Sequence, residues 1–521
     1  MSVTEAGSAR QFSRQNQLYW VAINFTGSRL NVNLCLPLGR PSRLSKLSAG
    51  FRFNVCPQKL RSVFQMRPIS SFVHARVCAC ALALLLAALF LPMTAPRPAH
   101  AQNLSSFDRD RGREMLDVIK NDIKKNYYDP TFHGIDIDAR FRAADDKIKE
   151  ATSIGQVFGI IAQTLIDFDD SHLYFVPPGR SARYDYGWRM QVIGDKCFVT
   201  AVKPGSDAAA KGLQAGDEIF SIDGFEPTRD NHWKILYAYY ALRPRTGVRL
   251  VVTKPNGEQK QYDVVTKITK LKRVMDLTGE SGTSSQDIND FDREAEDAES
   301  ERRAGSRQVE VGDDLLIWKL AEFDLSDAEV DDAMSKARKH KALIIDLRGN
   351  GGGAETTLLR MLGGVFDHDV KLGDIKRRKE TKTLVAKTRG DSVFKGNLVV
   401  LVDSQSGSAA ELFARVVQLE KRGTIVGDRS AGAVMRSKLY DHQSGTESVS
   451  FYGASITDAD ITMTDGKSLE HVGVQPDHLL LPTGADMAAQ RDPVLAFAVS
   501  LVGVKLEPEK AGTFFPLKWR K

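Results

Sequence analysis

From about residue 308 the sequence alternates short apolar runs with helical ones, and that alternation constrains the fold more than anything else in the chain. "KALIIDL" reads as a strand, "TTLLRML" as a helix, "NLVVLVD" as a strand and "AAELFARVVQL" as a helix. "GTIVG" is a further strand, followed by β-rich sequence with a "TDGK" turn, and the last helix falls near 485–502. Strands and helices that alternate in this way pack as layers around a mixed sheet, so residues 308–485 are expected to form an α/β domain, with 486–521 a C-terminal helix and tail. Two other textures precede it. Residues 104–170 read as helical, with Met115, Ile119, Ile123 and Tyr127 spaced by four and Asp129-Pro130 breaking the run. Residues 183–268 carry short β-rich runs, "CFVTAV" and "VRLVVTK", between Gly/Pro/Asp turns. Between the β-rich part and the α/β part, residues 278–307 are polar and nearly free of aliphatics. They are expected to be a disordered acidic insertion, because they bury too little apolar surface to fold.

Charge separates the ends of the chain. Residues 1–101 hold twelve Lys and Arg and one acid; residues 102–521 hold 60 basic and 65 acidic residues. A nucleic-acid footprint needs its basic residues in the folded part, so no nucleic-acid partner is expected. The basic end has its own explanation. From Met66, Arg67 and Arg76 precede a fourteen-residue apolar run, Cys78–Leu91, and Ala99-His100-Ala101 forms a small-x-small site before Gln102. This is the layout of a secretory signal peptide over 66–101, with 1–65 an upstream extension that does not belong to the exported protein. Export would leave the protein periplasmic or extracellular. The alternative is an uncleaved anchor at residues 77–93, which is short for a span of about 20 residues. Four of the five cysteines precede Gln102, so only Cys197 would remain and no internal disulfide is expected.

The chemistry points to one loop. In "VDSQSGSAAELFA" (402–414) a strand runs through three serines into a helix. A hydroxyl at such a strand–turn–helix junction is exposed, and the N–H groups that start the helix face developing negative charge. Ser408, the last serine before the helix, has this geometry best; Ser404 and Ser406 sit back in the loop. Taken alone, a serine before a helix is most often an N-cap.

Further motifs change that weighing. "AVKPGSDAAAKGLQAGDEIFSIDG" resembles the PDZ domains of bacterial proteases. "ALIIDLRGNGGG" (342–353), "SGSAAELFA" (406–414), "IVGDRSAG" (425–432) and "EHVGVQPD" (470–477) occur in one order. Together they resemble the tail-specific (C-terminal-processing) and tricorn-like serine proteases over roughly 104–485. The resemblance implies a helical N-terminal domain (102–180), a PDZ β-domain (183–270) and a ClpP/crotonase-like catalytic domain. It implies Ser408 as nucleophile and an oxyanion hole from Gly351 or Gly352 with the N–H of Ala409. The PDZ domain would hold a peptide C-terminus near Tyr186, Gly187, Trp188, Arg189 and Met190. Tail-specific relatives use a lysine 25 residues after the nucleophile, but that position here is Ala433, and Lys438 comes five residues late. Tricorn-like relatives use a Ser-His pair far upstream and a glutamate before a "GV.PD" segment. This chain has Ser171-His172 and Glu470 in those places. Imidazole titrates near neutrality and can take the serine proton and return it to the leaving amine, with Ser171 and Glu470 orienting it.

Rival readings are weaker. "GNGGGA" (349–354) fits a loose dinucleotide pattern, but Asp346-Leu347-Arg348 intervene after the strand. Glu470, His471, Asp477 and His478 lack zinc-ligand spacing. No cofactor or metal is therefore expected. The expected function is an exported serine endopeptidase acting on unfolded or flexible polypeptides with free C-termini. The serious alternative is a catalytically inactive PDZ peptide-binding protein on a protease scaffold. N-terminal sequencing of the exported protein should read from Gln102; a start in the region 1–65 would remove the signal-peptide assignment.

Overall fold

The computed structural model describes residues 104–180, 182–270, 306–444 and 450–519. The signal segment 66–101 with its upstream extension, and all but the last two residues of the 278–307 insertion, lie outside the described residues. Among the described residues no helix is long and apolar enough to cross a membrane.

The expected strands of the C-terminal half assemble into a six-stranded sheet. Its order is His478–Leu479, Thr424–Gly427, Asn397–Val402, Ala342–Asp346, Leu315–Lys319 and Arg307–Val311. All neighbours are parallel except the last pair, which is antiparallel. Ala342–Asp346 is buried at every position, and Asn397–Val402 at every position but the first. Near-continuous apolar runs of this kind suit strands covered on both faces. Helices Asp327–Ala337, Glu355–Val365 and Ala409–Leu419 pack on one face through Met334, Met361 and Phe413. Helix Pro493–Leu501 covers the other through Leu495 and Val499. Register aligns the strand ends: Asp346 pairs with Leu401, and Val402 with Gly427. Three loops, 347–354, 403–408 and 428–435, therefore leave the same carboxyl edge side by side, where open α/β sheets place their ligands.

A second, antiparallel sheet carries the hairpin Arg436–Ser444 and Ser450–Met463, with Val370–Arg377, Thr381–Ala386 and the short strand Tyr174–Val176. The helices Ser106–Asn126, Ile137–Lys149 and Ile154–Ile166 do not close a core of their own. Ile119, Ile123, Phe141 and Ile161 share theirs with Tyr452, Ala454 and Ile456 of the hairpin. The strand Tyr174–Val176 pairs antiparallel with Gly453–Ser455. The N-terminal helices are thus welded to sequence about 290 to 340 residues away, where the local pattern alone suggested a separate helical unit.

Residues 188–265 form a five-stranded antiparallel sheet with its own core of Trp188, Val199, Ile222, Leu250 and Tyr262. Its edge strand, Trp188–Ile193, docks on the loops of the six-stranded sheet. Gln191 Nε2 donates to Asp403 Oδ2 at 2.7 Å, and Ser404 Oγ donates to the Val192 carbonyl. Arg229 donates to Gly194 O at 2.9 Å, Arg429 O at 3.0 Å and Asp428 Oδ2 at 2.7 Å, and Gly194 N–H also donates to Asp428. The Arg229 and Asp428 side chains retain only 13% and 7% exposure. Removing one partner of such a pair strands the other charge, at a cost of about 3–5 kcal/mol. Arg229→Ala should therefore lower the thermal midpoint clearly in calorimetry. Lys196→Ala, whose pair with Glu218 is solvent-exposed, should leave it nearly unchanged.

Candidate active site

Ser408 ends the loop after strand Asn397–Val402 and precedes helix Ala409–Leu419. Its backbone is at φ 52°, ψ −119°. An ordinary N-cap is extended, so this is not simple capping. A non-glycine residue held there stores about 1–3 kcal/mol, and such strain clusters where a side chain must be presented in one direction. The neighbouring serines serve the loop. Ser406 is fully buried, donates to Leu347 O at 2.8 Å and accepts from Asp403 N–H at 2.9 Å. Ser404 is spent on the docking contact with Val192.

The strain is held by Glu411, which sequence reasoning did not single out. Glu411 is completely buried. Its Oε1 accepts from Ser430 Oγ at 2.6 Å and Gly432 N–H at 2.7 Å; its Oε2 accepts from Ala433 N–H at 2.9 Å and Ser408 N–H at 3.1 Å. Ser408 N–H also donates to Ala433 O at 2.7 Å. One carboxylate thus ties Ser408 to the loop 430–433. Burial pushes its carboxyl up to about 7, against the four donors that pull it down. The available signal was an acid inside an otherwise apolar helix start, Ala409-Ala410-Glu411-Leu412-Phe413.

The glycine turn lies against Ser408. A Cβ on Gly352, itself at φ +107°, would stand 2.6 Å from Ser408 Cβ. Gly352 N–H donates to Asn350 Oδ1 at 2.8 Å, and the Asn350 carbonyl accepts from Gly407 N–H at 2.9 Å. The N–H groups of Gly351 and Ala409 carry no such bond among the described residues.

Ser171, His172 and Glu470 are brought together across 299 residues. Glu470 accepts from Ser171 N–H at 2.9 Å through Oε1 and from Ser171 Oγ at 3.0 Å through Oε2. Ser171 Oγ lies 2.8 Å from His172 Nδ1. A hydroxyl has one proton, and a carboxylate can only accept. Ser171 therefore donates to Glu470, His172 Nδ1–H donates to Ser171, and the lone pair rests on Nε2. Glu470 Oε2 also accepts from Val434 N–H at 2.9 Å, the residue after the carbonyl that holds Ser408. Two adjacent residues, Ala433 and Val434, thus join the serine and histidine modules. Asp170, buried, fixes the backbone of His172 (N–H to Oδ1, 2.9 Å) and is held by Tyr127 OH at 2.9 Å and Thr457 Oγ1 at 2.7 Å. Desolvation lowers the His172 pKa, opposed by the charges of Glu470 and Asp170. Asp167 and Asp169 stand apart from this arrangement: Asp167 pairs with Arg140, and Asp169 is exposed.

Lys438 lies in the strand Arg436–Ser444, 59% exposed, with Nζ 3.8 Å from Asp458. Among the described residues no cluster of His, Cys, Asp and Glu is arranged to hold a metal ion. Asp477 serves the Ile425 backbone instead of joining Glu470. Of the five PDZ positions, Tyr186, Trp188 and Met190 point into that domain's core. Gly187 N–H already donates to the Asp185 carboxylate at 2.9 Å, and Arg189 is exposed.

Residues 314–480 match the model of Peptidase family S41, and residues 179–232 that of the PDZ domain. The chloroplastic C-terminal processing peptidase of Tetradesmus obliquus is 24% identical over 383 residues, 69% of this chain and 75% of that protein. The tail-specific protease of Haemophilus influenzae is 35% identical over 95 residues, 18% of this chain and 14% of that one. The solved structure of mature CPAF complexed with lactacystin shares the fold, with a TM-score of 0.52 at 15% identity over 74% of this chain and 96% of that one.

Glu411→Gln should separate positioning from packing. An amide turns a donor toward groups that already donate, so Ser408 loses its fixed orientation. Turnover should fall about a hundredfold with KM changed little, the scale expected for misplacing a reacting atom by about 1 Å.

Proposed function

With a family S41 serine peptidase domain at 314–480 and a PDZ domain before it as the premise, we propose that Ser408 is the nucleophile and His172 its base. The observation that carries this reading is the order of protons from Glu470 through Ser171 to His172, which leaves Nε2 free to accept. Ser408 Oγ attacks the scissile carbonyl carbon as its proton passes to Nε2. The oxyanion is taken by the N–H groups of Gly351 and Ala409, both without another acceptor among the described residues. Collapse breaks the C–N bond, and the imidazolium returns the proton to the leaving amine. Water then repeats the cycle on the acyl-enzyme, restoring Ser408 and releasing the acid. Every proton is moved by this chain's own residues.

Lys438, 59% exposed with its Nζ 3.8 Å from Asp458, does not suit the role of a lysine base, which needs a desolvated pocket. Ala433, at the position where tail-specific relatives carry lysine, contributes its carbonyl to Ser408 instead. The catalytic domain is read as ClpP/crotonase-like. The substrates are read as unfolded or flexible polypeptides, exported with the enzyme and engaged through the PDZ domain by their C-terminal ends.

The test is cleavage of an unstructured protein. Ser408→Ala should abolish it, His172→Ala should reduce it by about 10⁴-fold or more, and Lys438→Ala should leave it nearly unchanged. A Lys438→Ala loss as large as that of Ser408→Ala would transfer the base role. The pH profile gives an independent reading. Desolvation holds His172 below the ordinary imidazole value of 6.5, so the acid limb of kcat/KM should lie under that value. Glu470 raises the His172 pKa, so Glu470→Gln should move the limb to still lower pH as well as slowing the reaction.

A further inference from the structure

We propose that His471 is a positioning residue: its imidazole pins the turn that carries Ser171 and His172 to the turn that carries Glu470. This deepens the reading of the base given above and rests on it. His471 Nε2 lies 3.0 Å from the Asp169 carbonyl oxygen. A carbonyl can only accept, so Nε2 carries the proton and donates it whatever the charge of the ring. The Asp169 carboxylate stands farther off, at 3.8 Å, and is 87% exposed, so the backbone contact is the one that binds. Through its own N–H, His471 donates to the Gly432 carbonyl at 2.8 Å, and Gly432 N–H donates to Glu411. One residue therefore touches both the loop that fixes Ser408 and the loop that fixes His172.

Backbone conformation marks both ends of the contact. His471 is at φ 60° and Asp169 at φ 53°, two of only eight non-glycine residues with positive φ among the described residues. Histidine and aspartate enter that region more readily than most, yet each still costs free energy that the surroundings must hold. Here the surroundings are two closed turns. Val472 and Gly473 N–H both donate to Leu469 O, at 2.9 and 2.8 Å, so the ring leaves a fixed base. Asp167 N–H donates to Gln163 O at 3.1 Å and Asp169 N–H to Ile166 O at 3.0 Å, so the carbonyl it meets closes the end of helix Ile154–Ile166. The spacing of these turns decides how Ser171 meets Glu470, with its N–H on Oε1 and its hydroxyl on Oε2. Both of those bonds end on a carboxylate that can turn about its own side-chain torsions. The His471 bond ends on backbone and holds the turns themselves. Its Nε2 is 3.8 Å from Glu470 Oε1, beyond hydrogen-bond distance, so the ring leaves that oxygen to Ser171.

The test compares His471→Gly, His471→Gln and His172→Ala in the full chain, measuring kcat and KM for cleavage of an unstructured protein and the thermal midpoint of each. Glycine keeps the positive-φ backbone without strain and removes only the ring. His471→Gly should leave the midpoint close to that of the parent while kcat falls about tenfold at nearly constant KM, the effect of displacing the base by a fraction of an ångström. Glutamine carries an N–H donor about as far from the backbone and should restore most of the loss. An unchanged kcat in His471→Gly, a loss that glutamine does not restore, or a loss that comes with a large fall in midpoint would overturn the proposal. The His172→Ala arm separates the two readings. If it is inactive while His471→Gly is fully active, the role of His471 alone is wrong; if it stays active, the assignment of the base falls and the role of His471 falls with it.

Discussion

A carboxylate withdrawn from water must be surrounded by donors, and the site depends on two that are. Glu411 draws in Ser408, Ser430, Gly432 and Ala433; Glu470 draws in Ser171 and Val434. The donors belong to loops that share no covalent neighbourhood, and each acid is satisfied only when those loops converge. The strained backbone of Ser408 persists because Glu411 and Ala433 hold its N–H from two sides. Ser408 and His172 are thus held in place by carboxylates supplied from elsewhere in the chain.

Much of this was legible from residue order. Apolar runs such as "ALIID" and "LVVLV" cannot stay in water, and their alternation with amphipathic segments leaves few folds. Ser408, Ser171, His172 and Glu470 were singled out by motif, and the last three are now found hydrogen-bonded to one another. Glu411 was hidden because an acid on a helix ordinarily marks the solvent side, and only the loop 430–433 closing over it makes it interior. Asp170, beside His172, is hard to read from sequence for the same reason. Its partners Tyr127 and Thr457 lie 43 and 287 residues away.

The long-range weld of the N-terminal helices was not legible either. Met115, Ile119 and Ile123 declare an apolar face but not what covers it. The cover is the hairpin around Ala454, and register between Tyr174 and Ser455 is a property of the folded sheet, which no local pattern encodes. The same holds for the PDZ strand. Its sequence suggested an open edge for a visiting peptide, but Val192 and Gly194 already bond to the catalytic loops, and Arg189 to the tail.

The weld also sets an order of events. A chain emerging from its amino end delivers Ser171 and His172 first and Ser408 much later. Glu470, on which the imidazole's orientation rests, comes 299 residues after Ser171. Contacts of such separation form late, after the intervening loops have paid their closure entropy. Until the last strands are in place, Ser171 and His172 lack the Glu470 carboxylate that Ser171 donates to. The hydrogen bonds that join Ser171 to Glu470 are therefore a property of the completed fold and of no shorter stretch of the chain.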